Sequence, residues 1–327
     1  MKRGLFTLLI ILLVVPLFAE GAQEEAESKS LTIWSATSAE LTEDLVNAFK
    51  EEYPEMDVDI ITAGSGELIT RLQAQQPNPS GDIILGIAQE AFEGNYDLFT
   101  GYKVAKDEIP ELLKDGKESP KYYGMSMPIQ AFIVNTDLLS ASEYPDSWED
   151  LADPKYKGQV VMANPSMSGS AYSQVYQMNQ ALGFDFIKKM VPNVVFVTSS
   201  KIVPEAVSRG EYAIGVTGDY NVARKIEEGA PVTVVYPSEG TGARFDATGI
   251  IKGAANLANA EKFMDWIVTE DALTIVYESR MRRTVHPNVP VPAGLPPLND
   301  VTLVPYDAIK AAEVREDLTM ETVDLIK

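Results

Sequence analysis

The sequence predicts an α/β fold made of two lobes that are joined by a hinge. The chain has 327 residues, of which 45% are apolar and 23% are charged, and this is an ordinary globular composition. A chain of this length is usually too long to fold around a single hydrophobic core. Short β-rich runs alternate with helical runs in two separate stretches of the chain. Two long, extended apolar stretches, residues 127–136 and 246–252, connect the two αβ regions. Together these features predict a clamshell of two mixed sheets, each flanked by helices, with a two-strand hinge.

The first αβ unit begins with a short strand over residues 31–35. Leu41, Leu45, Val46 and Phe49 then recur at helical spacing, and Pro54 ends that helix. The remaining elements of this unit are a strand at 58–61, a turn at 63–66, a helix from 67 through 72 and an apolar strand at 83–85. Strands that alternate with helices at this spacing predict a parallel sheet with helices on both faces.

The second αβ unit begins near Gly158. Its predicted strands cover residues 160–162, 194–198, 213–217 and 232–236, and its predicted helices cover 170–182, 204–207 and 222–228. A proline-rich passage follows His286, and helical patterning returns from about Tyr306. The pattern assigns this C-terminal tail, residues 286–327, to neither lobe.

The N-terminus predicts export. Lys2 and Arg3 precede an apolar run over residues 5–18, and the small residues Ala19, Gly21 and Ala22 follow. The apolar run is shorter than the ~20 residues that a membrane-spanning helix needs. We therefore expect a secretory signal over residues 1–22, an acidic spacer over 23–30 and a periplasmic protein. The chain has no Cys, so lipid attachment at an N-terminal Cys is not expected.

The charge and the rare residues exclude several classes of function. With 48 acidic and 27 basic residues the net charge is -21, which repels nucleic-acid backbones and anionic lipids. The absence of Cys removes disulfides, thiolate metal sites and cysteine nucleophiles, and the single His has no recognisable nucleophile beside it. The sequence therefore predicts no enzyme, no cofactor and no resident metal. Separately, we expect a monomeric protein.

One segment carries a family resemblance. Residues 147–158 (SWEDLADPKYKG), followed by Asn164-Pro165, resemble the characteristic segment of the periplasmic solute-binding proteins of ABC importers, nearest to the ferric-binding, organophosphate-binding and phosphonate-binding group. Further pieces agree in order, including 65–68 (SGEL), 78–82 (NPSGD) and 236–241 (YPSEGT), and the resemblance extends from about residue 31 to 284. It implies the type II two-lobed fold and, as partner, an ABC permease in the inner membrane. The implied first lobe comprises residues 31–129 and 247–285, and the second comprises 130–246.

The resemblance also raises the question of iron. Iron-binding members of the group use an adjacent tyrosine pair in the second lobe, with a His and a Glu from the first. Here Ser38 stands where those members have the His, and 218–221 (GDYN) retains only Tyr220 at the tyrosine position. Iron is therefore disfavoured, but it stays an alternative because Tyr122 and Tyr123 form an adjacent pair elsewhere.

Short hydroxyl residues and glycines gather at predicted helix starts and at one strand end. They are Ser35, Thr37, Ser38, Ser65, Gly66, Ser168, Gly169, Ser170, Ser199 and Ser200. Unpaired backbone N–H groups and the helix dipole favour anions at such places, and small residues let an anion approach closely. The competing interpretation is that these residues only cap their helices. If they meet in one cleft, the pattern predicts a phosphate or phosphonate site.

Acidic and aromatic residues of the second lobe indicate which groups the ligand carries besides the phosphate or phosphonate. Asp219 and Glu239 follow strands of the second lobe, where carboxylates could bind hydroxyl or ammonium groups, and Tyr220 lies beside them. This combination fits a hexose phosphate or an aminoalkylphosphonate. The overall negative charge opposes an anionic ligand, but salt limits its reach to ~8 Å. Local dipoles, with Arg71, Lys201 or Arg244, would then dominate.

The sequence therefore predicts a carrier that closes around a small anionic solute and presents the closed form to a permease. A ferric iron carrier is the first alternative, and a ligand-sensing receptor domain with the same fold is the second. Stoichiometric binding without turnover distinguishes a binding protein from an enzyme.

Overall fold

The computed structural model describes residues 28–242 and 244–327, so the predicted signal and most of the acidic spacer lie outside the described residues. The strands are β1 Ser30–Ser35, β2 Asp57–Thr62, β3 Ile83–Ala88, β4 Phe99–Thr100, β5 Tyr123–Ser126, β6 Gln130–Asn135, β7 Val160–Ala163, β8 Val194–Val197, β9 Ile214–Gly218, β10 Val232–Val235, β11 Thr241–Gly242, β12 Asp246–Ile251 and β13 Leu303–Val304. The helices are α1 Ala39–Glu52, α2 Ser65–Gln75, α3 Gln89–Glu93, α4 Gly169–Leu182, α5 Phe184–Met190, α6 Ile202–Ser208, α7 Asp219–Glu227, α8 Leu257–Ile267, α9 Glu270–Arg280, α10 Ala308–Glu313 and α11 Arg315–Ile326.

The first sheet has the order β2-β1-β3-β12-β4, and β5 also pairs with β12. β1 runs parallel to β2 and β3, whereas β12 runs antiparallel to β3. Ile33, Ile83 and Ile84 have no exposed surface, as expected for strands that helices cover on both faces. We call this sheet with its helices α1, α2, α3, α8 and α9 the first lobe.

The second sheet has the order β10-β6-β9-β7-β8. β7 runs parallel to β8 and β9, and β6 runs antiparallel to β9 and β10. Its core contains Phe132 and Trp148, whose rings meet edge to face at 5.0 Å. We call this sheet with α4 to α7 the second lobe. Two mixed sheets flanked by helices confirm the predicted fold class.

The two extended stretches pass between the lobes. β6, from the first stretch, belongs to the second sheet, and β12, from the other stretch, belongs to the first sheet. Backbone hydrogen bonds tie the neighbouring segments together: Asp219 N–H donates to Ile129 O at 2.7 Å, and Met127 N–H donates to Arg283 O at 2.9 Å. These crossings therefore border the space between the lobes.

The C-terminal tail is attached to the second lobe. β13 pairs in parallel with β11, and α11 packs along α4 and α5. Three α4 side chains spaced one helical turn apart donate hydrogen bonds to tail carbonyls; they are Tyr172 to Ala311 O, Tyr176 to Asp307 O at 3.1 Å and Gln180 to Pro305 O at 2.9 Å. α10 also packs against α3 of the first lobe. The tail, which the sequence pattern assigned to neither lobe, thus contacts both.

None of the helices in the part of the chain that the structure describes has the length and apolar character needed to cross a lipid bilayer.

Candidate ligand-binding cleft

A cleft of about 940 Å³ lies between the two lobes. The first lobe lines it with the residues that follow β1 and with the starts of α2 and α3. The second lobe contributes the starts of α4 and α6 and the first half of α7, and the tail contributes the junction of α10 and α11. The residues that follow the strands and begin the helices of both lobes lie at the cleft. This is the usual position of ligand sites in α/β sheets.

Ten of the thirteen residues that the sequence singled out line this cleft. They are Thr37, Ser38, Ser65, Gly66, Ser168, Gly169, Ser170, Ser199, Ser200 and Tyr220. They are far apart in the chain, and the fold brings them together at one place.

Ser38 and Ser168 are N-caps as well as cleft residues. The Ser38 hydroxyl accepts a hydrogen bond from Leu41 N–H at 3.3 Å, and the Ser168 hydroxyl accepts one from Ala171 N–H at 3.2 Å. Each cap occupies one of the amide groups that a helix start leaves unpaired. The competing capping interpretation is therefore true of these two residues, although both also face the cleft.

The start of α2 differs, because no side chain caps it. The residue before the helix is Gly64, and the first amide bonded within the helix is that of Leu68, which donates to Gly64 O at 3.0 Å. A Cβ added at Gly66 would meet no atom within 4 Å. Ser65 and Gly66 line the cleft at this uncapped helix start, where the helix dipole favours an anion.

Ser35 does not line the cleft, contrary to the sequence expectation. It has no exposed surface, and its hydroxyl lies 2.7 Å from Thr42 Oγ1 and accepts from Thr37 N–H at 3.2 Å. The last residue of a buried strand points into the lobe, so Ser35 positions Thr37 from behind.

Asp219 is also outside the cleft. Its side chain has no exposed surface; Oδ2 accepts from Arg283 Nε at 2.7 Å and from the Tyr236 hydroxyl at 2.9 Å. Burial raises the pKa of the Asp219 carboxyl, and the ion pair with Arg283 opposes that shift. This carboxylate joins α7 to the segment after α9, so the expectation of a ligand contact is corrected.

Glu239 likewise has a different place. Its Oε2 accepts from Trp148 N–H at 2.9 Å and its Oε1 accepts from Glu149 N–H at 3.1 Å. It therefore caps the short 3-10 turn Glu149–Ala152 from a distant part of the chain. Asp219 and Glu239 follow strands of the second lobe, as the sequence predicted, but neither side chain lines the cleft.

The cleft is much more cationic than the chain as a whole. Six cationic side chains line it: Lys201, Arg224, Lys225, Arg244, Arg282 and Arg315. Among the described residues that line the cleft, three are carboxylates: Glu90, Glu205 and Asp246. Sequence reasoning named Lys201 and Arg244 but missed the other four cations, and no local motif marks them. Arg71, which it also named, instead lies over the Trp34 ring at 5.2 Å.

The carboxylates of the cleft are already paired. Arg244 Nε lies 3.1 Å from Glu90 Oε2, and its Nη1 lies 3.1 Å from Asp246 Oδ1. Burial opposes the charge of Arg244, but Glu90 and Asp246 outweigh burial and raise the pKa of this guanidinium. Lys225 Nζ lies 2.6 Å from Glu205 Oε1.

Arg282 connects this charged network to the second lobe. Its Nη1 donates to Asp246 Oδ2 at 2.8 Å, and its guanidinium carbon lies 4.5 Å from the centre of the Tyr220 ring. Its buried Nε has no hydrogen-bond partner among the residues that the structure describes. Tyr220 is therefore in direct contact with a cation of the cleft lining.

The residues that line the cleft include groups that can bind an anion. Across residues 28–242 and 244–327 there is no group of three His, Cys, Asp or Glu side chains that could hold a metal. Unpaired amides, hydroxyls and guanidinium groups can instead bind an anion, and the paired carboxylates can accept hydrogen bonds from hydroxyl or ammonium groups.

Known proteins share both the sequence and the fold. Residues 44–296 match the family model of the bacterial extracellular solute-binding proteins. An uncharacterized protein of Haemophilus influenzae is 33% identical, and the match covers 94% of each chain.

Two solved structures illustrate the range of ligands found on this fold. The periplasmic binding protein AfuA from Actinobacillus pleuropneumoniae, with fructose 6-phosphate bound, is 27% identical with a TM-score of 0.80, over 91% of this chain and 99% of its own. The apo ferric ion-binding protein A of Pasteurella haemolytica has the same TM-score of 0.80 at 17% identity, over 91% and 98%. The second match shows the fold alone. The chain therefore belongs to the bacterial extracellular solute-binding proteins: it is a periplasmic solute-binding protein of the ABC-transporter class, and this family is non-enzymatic.

Proposed function

We propose that this protein captures a small phosphate-bearing or phosphonate-bearing solute in the cleft and delivers it to the permease of an ABC importer. Hexose phosphates and aminoalkylphosphonates are the ligand classes that we favour. The ten cleft residues that the sequence singled out are the proposed ligand contacts, together with the cationic residues of the cleft.

The observation that carries this proposal is the reversal of charge in the cleft. The chain has 48 acidic and 27 basic residues, whereas six cations and three carboxylates line the cleft. A local cationic excess inside an acidic protein attracts anions only at short range, because salt screens the rest of the charge beyond ~8 Å. The net negative charge of the chain therefore does not prevent an anion from binding in the cleft.

The cleft offers hydrogen-bonding partners for both parts of such a solute. The starts of α1, α2 and α4 supply amides and hydroxyls for the phosphoryl oxygens. Asp246, held by Arg244 and Arg282, supplies an acceptor for sugar hydroxyls or for an ammonium group. AfuA, the relative whose structure holds fructose 6-phosphate, supports this ligand class.

The proposed mechanism is closure of the lobes around the solute. A ligand that contacts both α2 of the first lobe and α4 of the second gains hydrogen bonds only when both approach it. The closed form is then the species that a permease recognises.

Ferric iron is the competing ligand, because structures of ferric-binding proteins share the fold. Tyr220 is the single tyrosine among the residues that line the cleft, and Arg282 lies over its ring. A cation beside a phenol disfavours the approach of a trivalent metal ion, which supports the anion proposal over iron.

The test is calorimetric titration of protein that has been unfolded, dialysed free of bound solute and refolded. The probes are fructose 6-phosphate, 2-aminoethylphosphonate, fructose and ferric citrate. We expect at least one phosphorus compound to bind with one-to-one stoichiometry and fructose to give no heat. Binding of ferric citrate alone, with the colour of an iron–phenolate complex, would overturn the proposal.

A charge-matched pair of variants shows whether the cleft is the site. Arg224→Gln removes a cation that lines the cleft, whereas Lys188→Gln removes an exposed cation of α5 that pairs with Asp185. We expect the first variant to weaken binding of the phosphorus compound and the second to leave it unchanged. Equal affinities in both variants would contradict the placement of the ligand.

A further inference from the structure

Arg315, the first residue of α11, reaches the cleft from the C-terminal tail. Its guanidinium carbon lies 4.5 Å from the centre of the Tyr172 ring on α4. Its Nη1 lies 3.8 Å from Glu90 Oε1 on α3 of the first lobe. A Cβ built on Gly169 would lie 3.7 Å from its Nη2. The guanidinium thus lies beside the start of α4 and faces both lobes.

The nearby carboxylates Glu90 and Asp246 do not neutralise the charge of Arg315. Glu90 accepts from Arg244 Nε through both carboxylate oxygens, at 3.3 and 3.1 Å, so it is already neutralised. Asp246 is shared by Arg244 and Arg282. Two carboxylates therefore face three guanidinium groups, and Arg315, the most distant at 3.8 Å and 45% exposed, carries the excess charge.

The tail holds Arg315 in this position. The Tyr172 ring supports the guanidinium face, and the hydroxyl of the same tyrosine donates to Ala311 O just before α11. On the other side, α10 packs against α3, where a Cβ at Gly94 would lie 3.3 Å from Ala312 Cβ. A stacked and anchored arginine loses little side-chain entropy when it binds a ligand.

We infer that Arg315 is a specificity-determining residue that binds the phosphoryl or phosphonyl group at the start of α4. A guanidinium group can donate two parallel hydrogen bonds to such a group, whereas an uncharged sugar offers it no comparable partner. This residue lies in the C-terminal tail, beyond residues 44–296, which match the family model. The inference rests on the proposed function.

The test compares Arg315→Gln with Arg315→Lys and with the control Lys310→Gln. Lys310 lies on α10, is exposed and pairs with Glu313 outside the cleft. The readout is the dissociation constant for the phosphorus compound that the wild-type protein binds. We expect Arg315→Gln to lose about tenfold to a hundredfold in affinity, as for a lost hydrogen bond to a charged group. Arg315→Lys should recover part of that loss, and Lys310→Gln should bind like the wild type.

The Lys variant separates a charge role from a structural one. If Arg315 only supported Tyr172 and the tail, Lys and Gln would weaken binding equally, and the inference would be wrong. Unchanged affinity in Arg315→Gln would also overturn it while leaving the proposed function intact. If the wild-type protein binds neither phosphorus compound, the proposed function fails first and the inference fails with it. Circular dichroism of each variant verifies that it is folded.

Discussion

Arg283 and Asp219 form a buried ion pair, with 2.7 Å between Nε and Oδ2 and side chains that are 3% and 0% exposed. The pair joins the segment after α9 of the first lobe to the start of α7 in the second. Next to it, Arg282 lies over Tyr220 and faces the cleft. Two consecutive arginines thus contact two consecutive residues of α7, one pair behind the cleft and one pair inside it.

This arrangement predicts a large stability loss in Asp219→Ala. Removing one partner leaves the Arg283 charge buried and unpaired, which typically costs about 3–5 kcal/mol. Urea unfolding measures the loss, and Asp185→Asn, at an 87% exposed carboxylate of α5, is the control that should change stability by less than about 0.5 kcal/mol. A variant as stable as the wild type that fails to bind solute would instead make Asp219 a ligand contact.

Glu239→Ala should lower stability without changing ligand affinity. The carboxylate accepts hydrogen bonds from the amides of Trp148 and Glu149, so its removal costs about 0.5–2 kcal/mol, as for a lost helix cap. Thermal unfolding and titration with the phosphorus compound measure the two effects separately. Glu227→Ala, on the exposed end of α7, serves as the control. Weaker binding with unchanged stability would restore the original expectation of a ligand contact.

Gly169→Leu should weaken binding of the solute. A Cβ at this position has room, since its nearest neighbour is Arg315 Nη2 at 3.7 Å, but a larger side chain would fill the space between the α4 amides and that guanidinium. Gly116→Leu is the matched control, because a Cβ there meets nothing within 4 Å and the residue is exposed outside the cleft. Equal dissociation constants for the two variants would remove the start of α4 from the site.

Ser35→Ala should lower stability by about 1 kcal/mol, because the hydroxyl hydrogen-bonds Thr42 in the lobe interior. It should also weaken solute binding, since Thr37 N–H loses its acceptor and Thr37 lines the cleft. Urea unfolding and calorimetry measure both effects, with Ser142→Ala at an exposed 3-10 turn as control. A stability loss without any change in affinity would show that Thr37 keeps its position unaided.

The family, the fold class and most of the candidate site follow from local patterns in the sequence. Strand and helix periodicity, together with the segment 147–158, were enough for the two-lobed fold. Hydroxyl residues and glycines before helices also have a local meaning, because unpaired amides occur at every helix start. For that reason residues such as Ser65, Gly66 and Gly169 could be named before the cleft was known.

The direction of each charged side chain depended on contacts between distant parts of the chain. Asp219 and Glu239 followed the expected strands, yet their partners Arg283 and Trp148 lie 64 and 91 positions away. The same holds for Glu90 and Arg244, which are 154 positions apart. Periodicity specifies which residues share a face over a few turns, whereas the pairing of buried charges depends on how the lobes and the tail pack. Only the tertiary structure, therefore, decided that arginines line the cleft and that one of them comes from the C-terminal tail.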